Sequence, residues 1–522
     1  MVVGDLLRRN AQLYARRHAW VYQATSRTWA AANRRTNAGA HALLGLGLRP
    51  GDRVALVGKN SLLLAELYFA LAKAGLVAVP LSPTLAVERL IQLLDDAGAA
   101  AVVVEPPSLT EPLRAGLPQV RWWIGLGGGS KALLDYEQLV ACASPAESTV
   151  VVPETALRAI HYTTGANGQP RGCLSTHRQL LQSVVVYATQ LPFTPDDICL
   201  LVLPLTAGVG SYLLTAYAYA AACTVILPQA EPAAILAAVE RHRVTRLYLV
   251  PELLQALLDQ PDLERYDLSS LRLIGCAGPC PSVALVRRAV QRLGAHRLYQ
   301  TFGSGETGGF IAYLYPSDHH LEGLPSAARA QAEARLVSCG RAAPFARLRV
   351  ADIDGRELPR GTVGELLVRA DTVTDGYWND AAASAHLLRD GWLHTGELAR
   401  MDRAGYVTLV THKLEIPLER GLERHLAVVD VVLHEHPAVL EAAVLKVPDA
   451  YWGESARALV VLREDTPCTA EELQAYCRER LTGQALPPAV ERLPALPRSS
   501  LGQLLERELR ERYRAAPPRE GR

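Results

Sequence analysis

Short apolar, β-branched runs punctuate the chain at 53–57, 100–104, 157–162, 246–250 and 271–274, each closed by Gly or Pro. Between them lie stretches of helical periodicity such as 61–75 and 232–241. Strand and helix alternating at this spacing predict parallel sheets covered by helices. At 363–368 and 405–410 the strand signals become short, with D-x-x-G turns at 352–355 and 402–405, which predicts a β-rich subdomain. Beyond Thr411 a polar connector leads to a helical run at 426–434 and two strand candidates at 442–447 and 458–463. Leu504, Leu505, Leu509 and Tyr513, set among alternating charges, predict a final amphipathic helix.

The expected fold class is therefore α/β. A large N-terminal domain of layered α/β sheets with a β-rich subdomain spans 1–410, a hinge connector 411–421, and a small mobile α+β C-terminal domain 422–522. A length of 522 residues agrees with more than one core. The segment 198–230 carries no charge for 33 residues, enough to span a bilayer by length. Pro204, Gly208, Gly210 and Pro228 interrupt it, so it is read as a buried strand–helix–strand unit and no membrane span is expected.

Apolar residues make up 49% and charged residues 20%, a balance that builds a core. Lys+Arg 54 against Asp+Glu 53 gives a net charge of +1, and neither end of the chain has the excess positive charge of a nucleic-acid binder. Nine scattered cysteines with no C-x-x-C fit a reduced, cytoplasmic protein and neither a zinc site nor a disulfide framework. Asp5, Arg8 and Arg9 break any apolar stretch at the N-terminus, so no export signal is expected.

Candidate chemistry concentrates in the stretch from Tyr162 to Gly172, which reads Y-T-T-G-A-N-G-Q-P-R-G. Gly165 and Gly168 free the backbone to wrap an anion, Thr163 and Thr164 offer hydroxyl donors, and Arg171 offers a charge, a combination that suits a polyphosphate. The alternative is a plain Gly-rich turn. A Walker loop is excluded, because G-x-x-x-x-G-K-[ST] is absent.

This stretch resembles the phosphate loop of the adenylate-forming superfamily, which comprises acyl-CoA synthetases, nonribosomal peptide synthetase adenylation domains and luciferases. Other segments resemble that family in its order: Leu203-Pro204-Leu205, 271–281, Thr301-Phe302-Gly303-Ser304-Gly305-Glu306-Thr307, Gly364-Glu365-Leu366, Gly376-Tyr377-Trp378 and 391–397, Gly-Trp-Leu-His-Thr-Gly-Glu. The resemblance covers essentially the whole chain and implies ATP- and Mg²⁺-dependent activation of a carboxylic acid as its acyl-adenylate. The acyl group would then pass to CoA, to the phosphopantetheine of an acyl or peptidyl carrier protein, or to another nucleophile.

The resemblance also implies roles. Phe302 would stack on adenine beside Gly278 and Gly303, Glu306 would hold the Mg²⁺, Glu397 would accept from the ribose hydroxyls, and His412 would open the connector. Ala207, Gly210, Tyr212, Cys276, Ala277, Ser304 and Gly305 would line the acyl pocket. No acid lies within 206–212 to pair with an α-amine, so an aliphatic or aromatic acid without one is expected. His177 would make a structural hydrogen bond.

Several positions depart from the family pattern. Gln503 stands where the C-terminal domain carries its catalytic lysine, and a neutral amide does not supply that charge. Ala207 replaces a pocket histidine, Ala166 and Asn167 replace hydroxyl residues, Arg171 a lysine, Gly305 a threonine, Glu397 an aspartate and His412 an arginine. Leu414 and Pro417 make the connector less polar and stiffer. Loss of one preorganised charge costs about 3–4 kcal/mol in catalysis. Lys413 and Lys446 are the lysines left in the small domain. Two further readings follow: a degenerate partner protein that binds nucleotide, acyl group or carrier, and an enzyme that retains one half-reaction, with a place in secondary metabolism.

Overall fold

The computed structural model describes residues 1–126, 133–164, 170–277, 281–352 and 354–412, and in the C-terminal part 429, 432–434, 436–449, 453–463, 466–480, 489–498, 508–509 and 512. The runs expected as strands pair into two large sheets. The first orders Leu134–Asp135, Trp122–Gly125, Ala101–Val104, Arg53–Val57, Val77–Leu81, Leu157–Thr164 and Pro170–Thr176. All neighbours in it are parallel except the last pair.

The second sheet has nine strands. Its six parallel members are Leu298–Ser304, Leu273–Ala277, Arg246–Leu249, Ile198–Leu201, Cys223–Ile226 and His18–Tyr22, with antiparallel strands added at both edges. Parallel neighbours need long crossovers, and the helices that supply them bury the sheet faces. One such helix, Leu62–Ala74, is buried over nearly its whole length. Ser61 Oγ accepts from the Leu64 amide at 3.2 Å to start it, and Gly75 at φ +69° ends it. Trp20, Trp29 and Phe69 meet in this core with ring centroids 6.3 and 5.6 Å apart.

The uncharged segment 198–230 becomes the strand Ile198–Leu201, the helix Gly208–Tyr219 and the strand Cys223–Ile226. Among the described residues no helix is long and apolar enough to cross a membrane.

The β-rich part is a five-stranded antiparallel sheet of Arg347–Ala351, Val363–Arg369, Leu388–Arg389, Trp392–Met401 and Val407–His412. Its D-x-x-G turns close with Gly355 and Gly405 at φ +79° and +86°. Thr411 and His412 continue the last strand, two residues into the segment read as connector. In the C-terminal part Val439–Asp449, Gly453–Leu462 and Ala489–Arg492 form a three-stranded sheet with the helix Ala470–Arg480. Of the helical run at 426–434, Val429 and 432–434 are helical among the described residues.

The strands expected at 405–410, 442–447 and 458–463 are Val407–His412, Val439–Asp449 and Gly453–Leu462, and two further shifts share one reason. The strand at 157–162 runs on to Thr164, and the strand at 271–274 becomes Leu273–Ala277. Gly275, Cys276 and Ala277 carry little strand signal, yet they pair with Tyr299, Gln300 and Thr301. Ladder hydrogen bonds, and not apolar character, set where these strands end.

Phe345 lies between the strands Arg341–Ala342 and Arg347–Ala351 with φ +67°, and its ring is 89% exposed. A left-handed backbone strains any residue with a Cβ, and this ring gains no burial to offset it. Phe345→Gly should raise stability by about 0.5–1 kcal/mol, read as a higher urea midpoint at an unchanged m-value.

Candidate active site

The strands Leu157–Thr164 and Pro170–Thr176 form an antiparallel hairpin with Tyr162 opposite Gly172 and Thr163 opposite Arg171. The described ends of the Gly-rich stretch, 162–164 and 170–172, thus pair as the two arms of that hairpin. Its residues 165–169, including Gly165, Ala166, Asn167 and Gly168, lie outside the described residues, as do Gly278, Lys413, Leu414, Pro417 and Gln503. Of Thr164 and His412 the backbone alone is described, in strand conformation opposite Pro170 and Glu397.

Glu306 follows the strand Leu298–Ser304, in a turn built by Thr307. Thr307 Oγ1 accepts from the Ser304 amide at 2.7 Å and lies 2.7 Å from the Gly309 carbonyl. Thr163 Oγ1 and the Tyr377 hydroxyl donate to Glu306 Oε1 at 3.2 and 3.1 Å. The Thr374 amide donates to the Glu306 carbonyl at 2.9 Å. Residues from two large sheets and from the segment after Val363–Arg369 therefore converge on one carboxylate.

Arg171 Nε lies 3.4 Å from Asp380 Oδ2, and its guanidinium sits 5.5 Å from the centre of the Tyr377 ring. Cys173 is buried beside this group, and burial together with Glu306 pushes its thiol well above the ordinary range. At Gly305 a methyl group would stand 3.3 Å from Thr163 Cγ2 and 3.7 Å from Cys173 Sγ, so the missing side chain leaves this flank of Glu306 without a hydroxyl.

Phe302, 7% exposed, packs with Cys173, Ile311, Cys339 and Tyr377. Gly303 is required where it stands, because a Cβ there would come 2.0 Å from the Gly309 carbonyl oxygen. In the five-stranded sheet buried Glu365 orders the turn before Glu397. Its Oε1 accepts from the Gly396 amide at 3.2 Å, and its Oε2 lies 3.1 Å from His394 Nδ1. Thr395 Oγ1 donates to the Leu366 carbonyl at 2.7 Å and accepts from the Glu397 amide at 3.1 Å.

Ala207 and Gly210 begin the helix Gly208–Tyr219, while Cys276 and Ala277 end a strand of the nine-stranded sheet. Tyr212 extends from that helix into a buried group of rings with Tyr187, Tyr248, Tyr299, Phe310 and Tyr313. Their centroids lie 4.9–6.5 Å apart. The hydroxyls of Tyr187 and Tyr299 share a 2.6 Å hydrogen bond, Tyr248 bonds Thr301, and Tyr212 donates to the Ser183 carbonyl at 3.1 Å. A methyl at Gly275 would come 2.3 Å from Tyr248 and 2.5 Å from Tyr299. The layer behind Tyr212 is thus filled to interior density.

Residues 7–378 match the AMP-binding enzyme family and residues 428–503 its C-terminal domain. The chain belongs to the AMP-binding enzymes. It is 32% identical over 491 residues to a feruloyl-CoA synthase of an Amycolatopsis species, a match spanning 94% of each chain. A fatty acyl CoA synthetase of Mycobacterium tuberculosis superposes with a TM-score of 0.83 at 26% identity, covering 98% of both chains. The amide bond synthetase McbA from Marinactinospora thermotolerans superposes with a TM-score of 0.76 at 29% identity, covering 98% of this chain and all of that one. As an AMP-binding enzyme the protein is a ligase that activates a carboxylic acid with ATP and transfers the acyl group to CoA or another nucleophile.

Tyr377, Asp380 and Thr374 escaped the sequence reading as site residues. The quoted Gly-Tyr-Trp segment was their signal, but nothing local says that Tyr377 reaches Glu306. Arg158 and His161 escaped it too, although two polar residues inside an apolar run marked them. Burial, and then the Arg158 charge, hold the imidazoles of His161 and His177 neutral, down to about pH 3. The Val3 amide donates to His177 Nδ1 at 3.4 Å, as the structural reading of His177 expects.

In the unfolded chain these imidazoles titrate near pH 6.5. Between that pH and about 3 the unfolded state binds more protons, so stability complete above pH 6.5 is lost as the pH falls through this window. His177→Asn should flatten the loss by about 1.4 kcal/mol per pH unit in that window, read from urea midpoints at stepped pH.

Proposed function

We propose that the protein adenylates a short aliphatic or single-ring carboxylic acid without an α-amine and passes the acyl group to CoA, a carrier-protein thiol or an amine. The observation that carries this reading is the Glu306 carboxylate held between Thr163 and Tyr377, beside Arg171 and at the foot of the Gly-rich hairpin. The wall of rings behind Tyr212 supports a short acid, since a long acyl chain entering beside Ala207, Gly210, Cys276, Ala277, Ser304 and Gly305 would have to displace it.

ATP and Mg²⁺ are the cofactors of this reading, and the residues present fit them. Both described donors to Glu306 reach the same oxygen, Oε1, so Oε2 is left to a hard cation. Among the described residues no three His, Cys, Asp or Glu side chains cluster to hold an ion alone, so phosphate oxygens would complete its shell. The ion would neutralise phosphate charge when the carboxylate attacks the α-phosphorus. Arg171 adds a fixed positive charge at the hairpin, and the Thr163 and Tyr377 hydroxyls hold the carboxylate in one orientation. The hairpin tip, with Thr164, Gly165 and Gly168, would wrap the triphosphate. Phe302, Gly303 and Gly278 would border the adenine, and Glu397 the ribose.

We place the body at 1–410, the hinge at 411–421 with His412 at its start, and a moving cap at 422–522, in a cytoplasmic protein. Gln503 in the cap leaves the adenylate without the usual lysine, and Ala207 removes a pocket imidazole. These losses favour a slow first half-reaction with acyl transfer to an unusual acceptor, and the similar McbA is named an amide bond synthetase. This reading requires a small acid as substrate and admits a carrier protein as one of its three acceptors.

ATP–pyrophosphate exchange across acids from acetate to palmitate, with benzoate and cinnamate, tests the reading. Exchange should be strongest for the short and single-ring acids and fall about 100-fold or more in Glu306→Gln. Equal exchange with palmitate would refute the size limit, and full activity in Glu306→Gln would refute its role. Gln503→Lys should raise exchange about 10- to 1000-fold, and normal exchange that this change leaves untouched would show that Gln503 limits nothing.

A further inference from the structure

The strand Leu157–Thr164 carries a β-bulge between Leu157 and Ala159, where the pairing steps from Thr176 to Ser175. In a regular strand Arg158 and His161, three residues apart, would point to opposite faces. The bulge puts them on one face, with an Arg158 Nη2 to His161 Nε2 distance of 3.2 Å. Arg158 is 8% exposed, and no carboxylate lies within salt-bridge distance of it among the described residues.

The donor count follows from chemistry. A guanidinium has no acceptor atom, so His161 Nε2 accepts and the ring proton sits on Nδ1. Both Arg158 Nε and His161 Nδ1 are buried without a partner. His177, close enough to Arg158 to feel its charge, accepts from Val3 at Nδ1 and so carries its proton on Nε2, which is also buried without a partner. Among the described residues these donors have no acceptor, and a fixed positive charge stands with them.

The group borders the start of the helix Gly208–Tyr219. A Cβ on Gly208 would stand 3.9 Å from His161 Cγ and Nδ1, and the cap residue Ala207 has no side chain to accept from the first amides. His161 and residues 206–209 are partly exposed. A buried unpaired guanidinium costs several kcal/mol, which an anion would offset.

We propose that Arg158, His161 and the helix start at Ala207–Gly208 form an oxyanion-binding site in the cleft of the ligase, taking a carboxylate other than the one that is activated. The site rests on the adenylation reading for its place in catalysis. Its carboxylate belongs either to a diacid substrate or to an acceptor that carries both an amine and an acid, and the two sources share one chemistry.

The test uses the full chain. Exchange is compared for butyrate against succinate and for benzoate against terephthalate, and consumption of preformed benzoyl adenylate is compared for propylamine against β-alanine. A preference of about ten-fold or more for the diacids puts the anion on the acid, and the same preference for β-alanine puts it on the acceptor. Either supports the site if Arg158→Met brings the ratio to unity while Arg158→Lys keeps part of it, because a ratio is indifferent to the amount of folded enzyme. Ratios of unity in the unmodified protein in both arms overturn the proposal.

Should no acid give exchange, the adenylation reading falls separately, and thermal unfolding then judges the site. Sodium succinate or sulfate raising the midpoint by about 2 °C more than sodium chloride of equal ionic strength supports it, provided that His161→Leu loses the difference. No difference in the unmodified protein means that ordered water fills the site, and overturns it.

Discussion

One carboxylate ties the large domain together at its working end. Glu306 hangs from the end of the nine-stranded sheet, Thr163 from the seven-stranded sheet and Tyr377 from the segment that leaves the five-stranded sheet, and all three meet within hydrogen-bond distance. Thr163 and Glu306 are 143 residues apart in the chain. Two hydroxyls on one oxygen orient the group, and the proposed function assigns the other oxygen to a cation. Thr372 and Thr374 brace the same junction, bonding the Thr307 and Leu174 carbonyls at 2.9 and 2.7 Å.

Arg171 holds a positive charge by the hairpin. The family resemblance expects an imidazole at position 207 and a lysine at position 503, where the sequence has Ala207 and Gln503. Arg158 and His161 set a guanidinium and an imidazole side by side on the neighbouring strand. Tyr212, on the helix that Ala207 caps, packs into the tyrosine layer that the proposed size limit rests on.

Much of the fold was legible in the sequence because strand and helix periodicity are local properties. The runs at 53–57 and 246–250, the helix at 61–75 and the uncharged unit at 198–230 all read correctly from apolar spacing and from their Ser, Gly and Pro boundaries. The residue types that the proposed site uses also stand in the sequence: hydroxyls and glycines at 163–168, an acid at 306 and a glutamine at 503. Strand ends at 273–277 were not, because small residues extend a strand only when a neighbour pairs with them.

By itself the sequence determined the class of the fold, the reaction that its motifs share with a family, and the departures from that family. Tertiary structure alone decided that Tyr377 reaches Glu306 and Asp380 reaches Arg171, that six rings from five elements form the layer behind Tyr212, and that Arg158 and His161 share a face. The reason is physical. Periodicity tells which way a side chain leaves its own element, but a contact between distant elements depends on how whole sheets pack, and a single bulge reverses the face that alternation assigns.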